Sequence, residues 1–423
     1  MKDRKIAFEI LKEVEEGGNS SYLLDRKLSR IEDEKKKAFI TEIVLGVLRW
    51  RNRLDYAISY HSNKRIEKLS LDVIIALRMG IYQLEFMRVP DYAAVNESVE
   101  LVKAPWKRSF VNGLLRSYLR EGVRYPSPED ALMHLTYTLS TPEWKARRWL
   151  KEFGFERACK LAEFYNSKPP VYIRLNPDKV DMDSLLSMLS LDGIEAQPCD
   201  YLKDCLKIKK GNVKTTPFLK KGYFYVQDAG SQMAGWVIRQ LKPALVWDCC
   251  FAPGGKAIHL ALLGMKVVAS DVSFKRTRFA LVNVKSSGVK FPVLVADARR
   301  PPFKVRFPLT LVDAPCSSLG VVHRNPELKW KIKEENLKKF KSLQKEILNR
   351  VMEVSKRALY VVCSQEKEET LEVIQELNLK TEKIPDEFFL KKPPLKIVEN
   401  TWFTQPDLSG MDGLFYALVK KSE

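Results

Sequence analysis

Long apolar runs are absent from this 423-residue chain. Stretches such as Leu71–Leu77 and Leu241–Trp247 are short and interrupted by Asp72 or by Lys242 and Pro243, far below the roughly 20 residues needed to span a bilayer. A membrane-spanning protein is therefore not expected. The first ten residues are charged and lack the apolar core and small-residue site of a secretory leader. Histidine is scarce, with only His61, His134, His259 and His323, and no C-x-x-C pair occurs, so no metal site is expected. Seven cysteines, odd in number and largely without pattern, argue for a reducing cytoplasm and against a disulfide framework. Neither G-x-G-x-x-G nor G-x-x-x-x-G-K-[ST] is present, which excludes the usual dinucleotide and Walker loops.

Acidic residues are in deficit. Lys and Arg number 72 against 53 Asp and Glu, a net charge of +19. A polyanionic partner is the first expectation, because each neutralised phosphate releases condensed counterions. A charge-rich surface of a heat-adapted protein is the rival, but such surfaces carry both signs in near balance. The composition is otherwise that of a folded chain: 45% hydrophobic, 10% aromatic and 30% charged. Its length suits two to four domains.

Three regions differ in pattern. Residues 1–125 repeat apolar positions at three and four spacing, as in Ile6-Ala7-Ile10-Leu11-Val14 and Ile43-Val44-Val47-Leu48, which predicts an all-α domain. Residues 126–230 begin with linker helices. After Lys168-Pro169-Pro170 they switch to strand-like alternation at Val171–Leu175, a small α+β module. Residues 231–423 alternate strands and helices, which predicts a doubly wound, largely parallel α/β sheet. A monomer is expected.

In such sheets ligands lie beyond the carboxyl ends of the strands. Here those ends carry Asp248 and the turn Cys250-Phe251-Ala252-Pro253-Gly254-Gly255-Lys256, then Asp271, Asp297, Asp313-Ala314-Pro315-Cys316 and Cys363. The glycine pair admits close approach to the backbone, and an acidic residue ending the second strand can hold ribose hydroxyls. Asp271 is placed for that and Asp297 for an adenine ring. A lone aspartate would read as a turn or cap, but three at consecutive strand ends favour a nucleoside-cofactor site. Cys316 and Cys363 follow two strands, 47 residues apart. Beside basic residues at the sheet's active edge, a thiolate nucleophile is the better reading than an inert core cysteine. Which of the two attacks is open on these grounds.

Those segments carry a resemblance. The Cys250–Lys256 turn, Asp313-Ala314-Pro315-Cys316-Ser317-Ser318, Tyr360-Val361-Val362-Cys363-Ser364 and the lead-in Tyr225–Gln232 are similar to the signatures of the Fmu/Sun family of RNA cytosine-C5 methyltransferases. The helical amino-terminal part resembles NusB, a combination similar to the RsmB-like subgroup acting on 16S ribosomal RNA. Phe251, Ala257, Val362 and Thr370 depart from the usual residues without removing a reacting atom. The resemblance implies a Rossmann-like methyltransferase domain using S-adenosylmethionine and a covalent cysteine–C6 adduct. It implies Cys363 as nucleophile, Cys316 as the helper of product release, and Asp313 against the base. Cofactor contacts would come from Cys250–Lys256, Asp271, Arg276, Asp297 and Asp313.

Two basic and aromatic clusters, Arg49, Arg51 and Arg53 beside Trp50, and Lys329, Lys331 and Lys333 around Trp330, are candidate RNA contacts. Interleaved Glu334 and Glu335 allow the blander reading of a solvated helix face. The same chemistry on transfer RNA, or a non-catalytic NusB-like RNA-binding factor, are the alternatives. An intact Pro253–Lys256 turn and two strand-end cysteines weigh against the latter.

Overall fold

A computed structural model describes residues 2–62 and 64–422 and divides into two compact units. The first comprises residues 1–168 and 322–332; the second comprises 169–321 and 333–423. The helical unit thus runs on through the linker helices and takes in an eleven-residue piece from far down the chain.

The helical unit is built around Leu71–Phe86, whose residues Val73 and Ile75–Gln83 are all buried. A helix apolar on every side has to be surrounded. Lys2–Glu15, Glu34–Arg49, Arg51–Ser62, Asp91–Val99 and Pro105–Glu121 supply the surrounding apolar faces. Starts are marked locally: Asp33 accepts from Lys35 N and Lys36 N, and Pro105 occupies a first-turn position where no donor is needed. Arg78, buried in this core, is held by Asp55 at 2.6 and 2.8 Å and Glu15 at 2.7 Å. Glu143–Phe153 and Phe155–Asn166 extend the unit.

The inserted segment 322–332 is bonded into this unit through side chains. Glu327 accepts from Ser20 N at 3.0 Å and Ser20 Oγ at 2.7 Å, where a helix amino terminus favours a carboxylate. Lys329 Nζ donates to Arg49 O at 3.0 Å and Asn166 Oδ1 at 2.8 Å. Trp330 Nε1 donates to Leu48 O. These donors satisfy carbonyls left over at the end of Glu34–Arg49.

The second unit holds two sheets. Strands β1 (Val171–Leu175), β2 (Glu195–Pro198), β3 (Cys205–Lys210) and β4 (Phe224–Val226) form an antiparallel sheet of order β2-β3-β1-β4. The larger sheet contains β5 (Val246–Asp248), β6 (Val267–Asp271), β7 (Val293–Val295), β8 (Leu309–Asp313), β9 (Ala358–Val362), β10 (Leu379–Glu382), β11 (Leu395–Val398), β12 (Thr401–Thr404) and β13 (Phe415–Lys421). Its order is β11-β12-β13-β9-β8-β5-β6-β7, with β10 also on β13. Strands β5 to β9 are mutually parallel; β13 runs antiparallel to β9. The parallel strands β5, β6, β8 and β9 are largely buried, apolar-rich runs, as a sheet covered on both faces requires, while the edge strand β7 is partly exposed. Chain order reverses between β5 and β8, which puts a crevice at their carboxyl ends. The doubly wound half matches the expectation from sequence. The antiparallel strands β10 to β12 are an addition to it: they are short, and β11 is half exposed, so they lack a continuous apolar run that would announce them.

Candidate active site

The turn after β5 gathers the first group of side chains. Gly254 has φ +102°, and a Cβ there would come within 3.0 Å of the Phe251 ring, so glycine alone fits without strain. The helix Gly255–Leu262 begins directly after it, and its first amides have no intrahelical acceptor. Phe251 itself turns its ring inward against Phe291 and is 3% exposed, so its side chain anchors the turn. Beneath the turn, Arg174 on β1 donates to Gln227 Oε1 at 2.8 Å and to Gly255 O at 3.3 Å. Burial pulls the Arg174 guanidinium down to about 9. Sequence patterning misses this support: nothing in an alternating strand marks one inward-facing arginine.

Asp271 closes β6. Its carboxylate accepts from Ala252 N at 3.2 Å, Ser273 N at 2.9 Å and Arg276 Nη2 at 2.8 Å. It therefore ties the β5 turn to the start of the next helix, Phe274–Ser287, with Arg276 as its counter-charge. Asp297, beyond β7, is gripped by Arg299 at 2.7 and 3.0 Å, and that pairing holds its carboxyl below the usual range. Asp248, at the end of β5, is 1% exposed and its Oδ1 has no partner. Burial, with Asp313 nearby, pushes it up to about 8.

The second group sits at β8 and β9. Lys256 Nζ lies 2.6 Å from Asp313 Oδ2. Burial opposes the lysine's charge, but Asp313 outweighs it and the ammonium is held more firmly than in water. Cys316 Sγ and Cys363 Sγ are 2.9 Å apart, and Ser318 Oγ is 3.3 Å from Cys363 Sγ. Both cysteines are partly exposed. The hydrogen bond from Cys316 lowers the Cys363 pKa, helped by Ser318 and by the charge of Lys256. Cys316 moves the opposite way, well above an ordinary thiol. When the pair gives up a proton, Cys363 is therefore the sulfur that loses it and Cys316 the one that keeps it.

Glu369 positions both cysteine loops. Its buried carboxylate accepts from Ser317 N at 2.7 Å, Ser317 Oγ at 2.5 Å, Ser364 Oγ at 2.6 Å and Gln344 Nε2 at 3.1 Å. Gln344 also donates to Pro315 O at 2.9 Å. In the sequence Glu369 is only half of an acidic pair with Glu368, and its depth in the fold cannot be inferred from its neighbours. Across the same loops Gly320 N donates to Cys363 O at 3.0 Å, and a Cβ on Gly320 would collide with Gly413 O.

The sequence-based RNA contacts fare differently. Arg49 is 5% exposed and reaches His323 O at 3.4 Å, and Lys329 is buried on the bonds given above, where burial drives its ammonium well below the usual lysine value. Both are corrected from ligand-facing residues to interior ties. Arg51 faces Glu15 and Asp55, and Arg53 is held by Glu85 at 2.6 Å with its guanidinium 3.6 Å over Tyr125. Lys331 donates to Gly17 O and Gly18 O; Lys333 is exposed. The basic clusters look available because sequence does not show the acidic and carbonyl groups waiting for them.

Known proteins share this arrangement. Residues 1–120 match the NusB family, 141–214 the ferredoxin-like domain of RsmF/B-like methyltransferases, and 239–420 the 16S rRNA methyltransferases RsmB/F. A probable ribosomal RNA small subunit methyltransferase B from Bacillus subtilis is 30% identical, over 99% of this chain and 98% of that one. The ribosomal RNA small subunit methyltransferase B of Citrobacter koseri is 29% identical, with 99% of both chains covered. The chain belongs to this RsmB/F methyltransferase family. The crystal structure of PH0851 superposes with a TM-score of 0.82 at 26% identity, covering 99% of each chain. In the RsmB/F enzyme, residues 1–120 of the helical unit are accordingly a NusB region, the β1–β4 sheet belongs to a ferredoxin-like module and the larger sheet to the methyltransferase domain. Among the described residues no cluster of three His, Cys, Asp or Glu side chains could hold a metal, and no helix is long and apolar enough to cross a membrane.

Proposed function

We propose that the enzyme methylates C5 of a cytosine in 16S ribosomal RNA, with S-adenosylmethionine as donor and a covalent bond between Cys363 and C6. The observation that carries this reading is the pair of cysteines 2.9 Å apart, with negative charge favoured on Cys363, beside Lys256 and Asp313. The residues present suit the donor. Asp271 offers a carboxylate for ribose, Asp297 a polar edge for adenine, and the Gly254-Gly255 turn a bare backbone. The unpartnered Oδ1 of Asp248 leaves one buried polar atom for a polar group to meet. Bound there, S-adenosylmethionine supplies an electrophilic methyl.

C5 of cytosine is a weak nucleophile. The Cys363 thiolate adds to C6, the C5–C6 π electrons move toward N3, and C5 becomes enamine-like and able to take the methyl. Asp313, through the Lys256 ammonium it holds, stabilises charge at N3 or the exocyclic amine. A base then removes the C5 proton, the double bond re-forms, and the S–C6 bond breaks with Cys316 assisting thiol release. The target base must leave its stack to reach such a site, so a single-stranded or flipped nucleotide is expected. Ribosomal RNA is favoured over transfer RNA by the names of full-length relatives and by the NusB region.

The test is incubation with methyl-labelled S-adenosylmethionine and separate pools of ribosomal and transfer RNA, followed by nucleoside analysis. Label in 5-methylcytidine from the 16S pool is expected. Label in another nucleoside, or in transfer RNA alone, would overturn the assignment.

A further inference from the structure

The helix Phe274–Ser287 shows a face that the active site does not use. Thr277, Ala280, Val284 and Ser287 are buried against the sheet. On the outer side, Phe274 and Phe279 are each 69% exposed and Val282 is 65% exposed. Burying such side chains is ordinarily favourable, and two phenylalanines left in solvent on one helix call for an occupant. Between and beside them stand Arg278 and Lys285, both exposed. Arg278 falls four residues after Phe274 and four before Val282, so basic and apolar side chains share one stripe.

Charge decides what kind of occupant fits. From residue 272 to 296 there are five basic residues and no acidic one. The ferredoxin-like module continues the same surface. Asn176 Nδ2 bridges Gly222 O at 2.9 Å and Ser287 O at 3.4 Å, and Lys179 Nζ bridges Lys221 O at 2.7 Å and Ser286 O at 3.1 Å. The turn bearing Lys220 and Lys221 is thereby fastened to the end of the helix. Residues 206 to 227 hold six basic residues and again no acidic one. A second copy of this chain would set like charge against like. A duplex would offer phosphates but no base faces for the rings.

We infer that the outer face of Phe274–Ser287, continued by the Lys220-Lys221 turn, is a second RNA-binding surface that takes a single-stranded segment of the substrate, bases stacking on Phe274 and Phe279 and phosphates meeting Arg278 and Lys285. Stacking on exposed rings tolerates any base, and the flanking cations track the backbone. The inference rests on RNA being the substrate, as proposed above. The surface anchors sequence outside the reacting nucleotide and takes no part in the chemistry.

Fluorescence anisotropy of the full chain with a fluorescein-labelled single-stranded oligoribonucleotide, and with the matching duplex, tests it. The Phe274→Ser/Phe279→Ser variant is expected to lose single-strand affinity by about tenfold or more, with little change for duplex. The Arg278→Glu/Lys285→Glu variant should flatten the slope of log affinity against log salt by about 1.4, the value for two phosphate contacts on a single strand. In the methylation assay both variants should raise KM for RNA and leave kcat and S-adenosylhomocysteine affinity at wild-type values. Wild-type affinity and salt slope in both variants would overturn the inference. So would a change in sedimentation coefficient in the phenylalanine variant with RNA affinity intact, which would make the face a protein contact. Failure of the proposed reaction is a different outcome, seen as no methyl transfer to RNA by the wild-type enzyme itself.

Discussion

Cys316 Sγ stands 2.9 Å from Cys363 Sγ, and the two thiols are pushed apart in acidity, Cys363 below and Cys316 well above an ordinary thiol. This asymmetry follows from the surroundings. Cys363 also lies 3.3 Å from Ser318 Oγ and faces Lys256, whereas Cys316 lies on the side of Glu369. Two chemically identical groups are pushed apart in acidity, the usual mark of a division of labour between nucleophile and acid or base. The pair also lies where β8 and β9 end, at the edge of the crevice set by the strand order.

If Cys363 is the attacking sulfur, Cys363→Ala should abolish methyl transfer. Binding of S-adenosylhomocysteine, measured by calorimetry, should stay within about twofold of wild type, because Cys363 follows β9 whereas the proposed cofactor residues lie at the ends of β5 to β8. Turnover comparable to wild type in a labelled-methyl assay would remove Cys363 from the mechanism.

The release role makes the opposite demand on Cys316. Cys316→Ser should still form the S–C6 bond but fail to resolve it, so protein trapped on RNA should appear as a slower band on a denaturing gel. The band should require both RNA and S-adenosylmethionine, and Cys363→Ala in the same chain should erase it. Absence of the band in the single variant would count against a release function.

Much of this site is legible in the amino-acid sequence, because strand ends carry their own signals. Asp271, Asp313 and Cys363 each follow a short run of Val, Leu or Ala that only a buried parallel strand explains, and the doubly wound order then brings them together. Groups whose partners are far away along the chain are not legible in this way. Glu369 meets Ser317 across 52 residues, and Arg174 meets Gly255 across 81. The error at Arg49 and Lys329 has the same origin. A basic residue looks solvent-seeking until the carbonyls and amides that accept from it are located, and those lie 280 and 163 residues from Lys329.

Glu369 offers a positioning test. Glu369→Ala would leave Ser317 N, both serine hydroxyls and Gln344 Nε2 without their acceptor in a dry interior. Stranding buried donors costs roughly 1–3 kcal/mol each before relaxation, so a loss of about 3 kcal/mol in urea unfolding is expected. Glu369→Gln keeps an acceptor oxygen and should recover part of the stability. It should lower kcat more than it raises KM for RNA, since both cysteine loops shift while the distant cofactor turn does not. Equal stability of wild type and Glu369→Ala would refute the clamp.

The Lys256–Asp313 pair bears on the pH profile. Lys256 favours the Cys363 thiolate and Asp313 opposes it. Lys256→Met removes the favourable charge and leaves the unfavourable one uncompensated, so the Cys363 pKa must rise. Because the thiolate fraction grows with pH, the acidic limb of the kcat/KM profile should move to higher pH, by roughly one unit. An unmoved limb with a uniformly lower rate would mean that Lys256 serves geometry alone.

His259 gives a stability effect of definite sign. It lies on Gly255–Leu262, is 3% exposed, meets the Trp236 ring edge-on and has no partner for Nδ1. Burial, with Arg174 and Arg239 adding repulsion, holds its pKa well below 6.5. Below about pH 6.5 the unfolded chain takes up a proton at this site that the folded chain refuses, so stability falls as pH falls, by up to about 1.4 kcal/mol per unit from this one group. His259→Leu, of similar volume and without a titrating ring, removes that contribution. Urea unfolding of both proteins at pH 7.5, 6.0 and 5.0 isolates it, because the other titrating groups are common to the two. The variant should gain on wild type by about 2 kcal/mol between the highest and lowest pH. Parallel curves would place the His259 proton on the folded protein and contradict the neutral, buried imidazole.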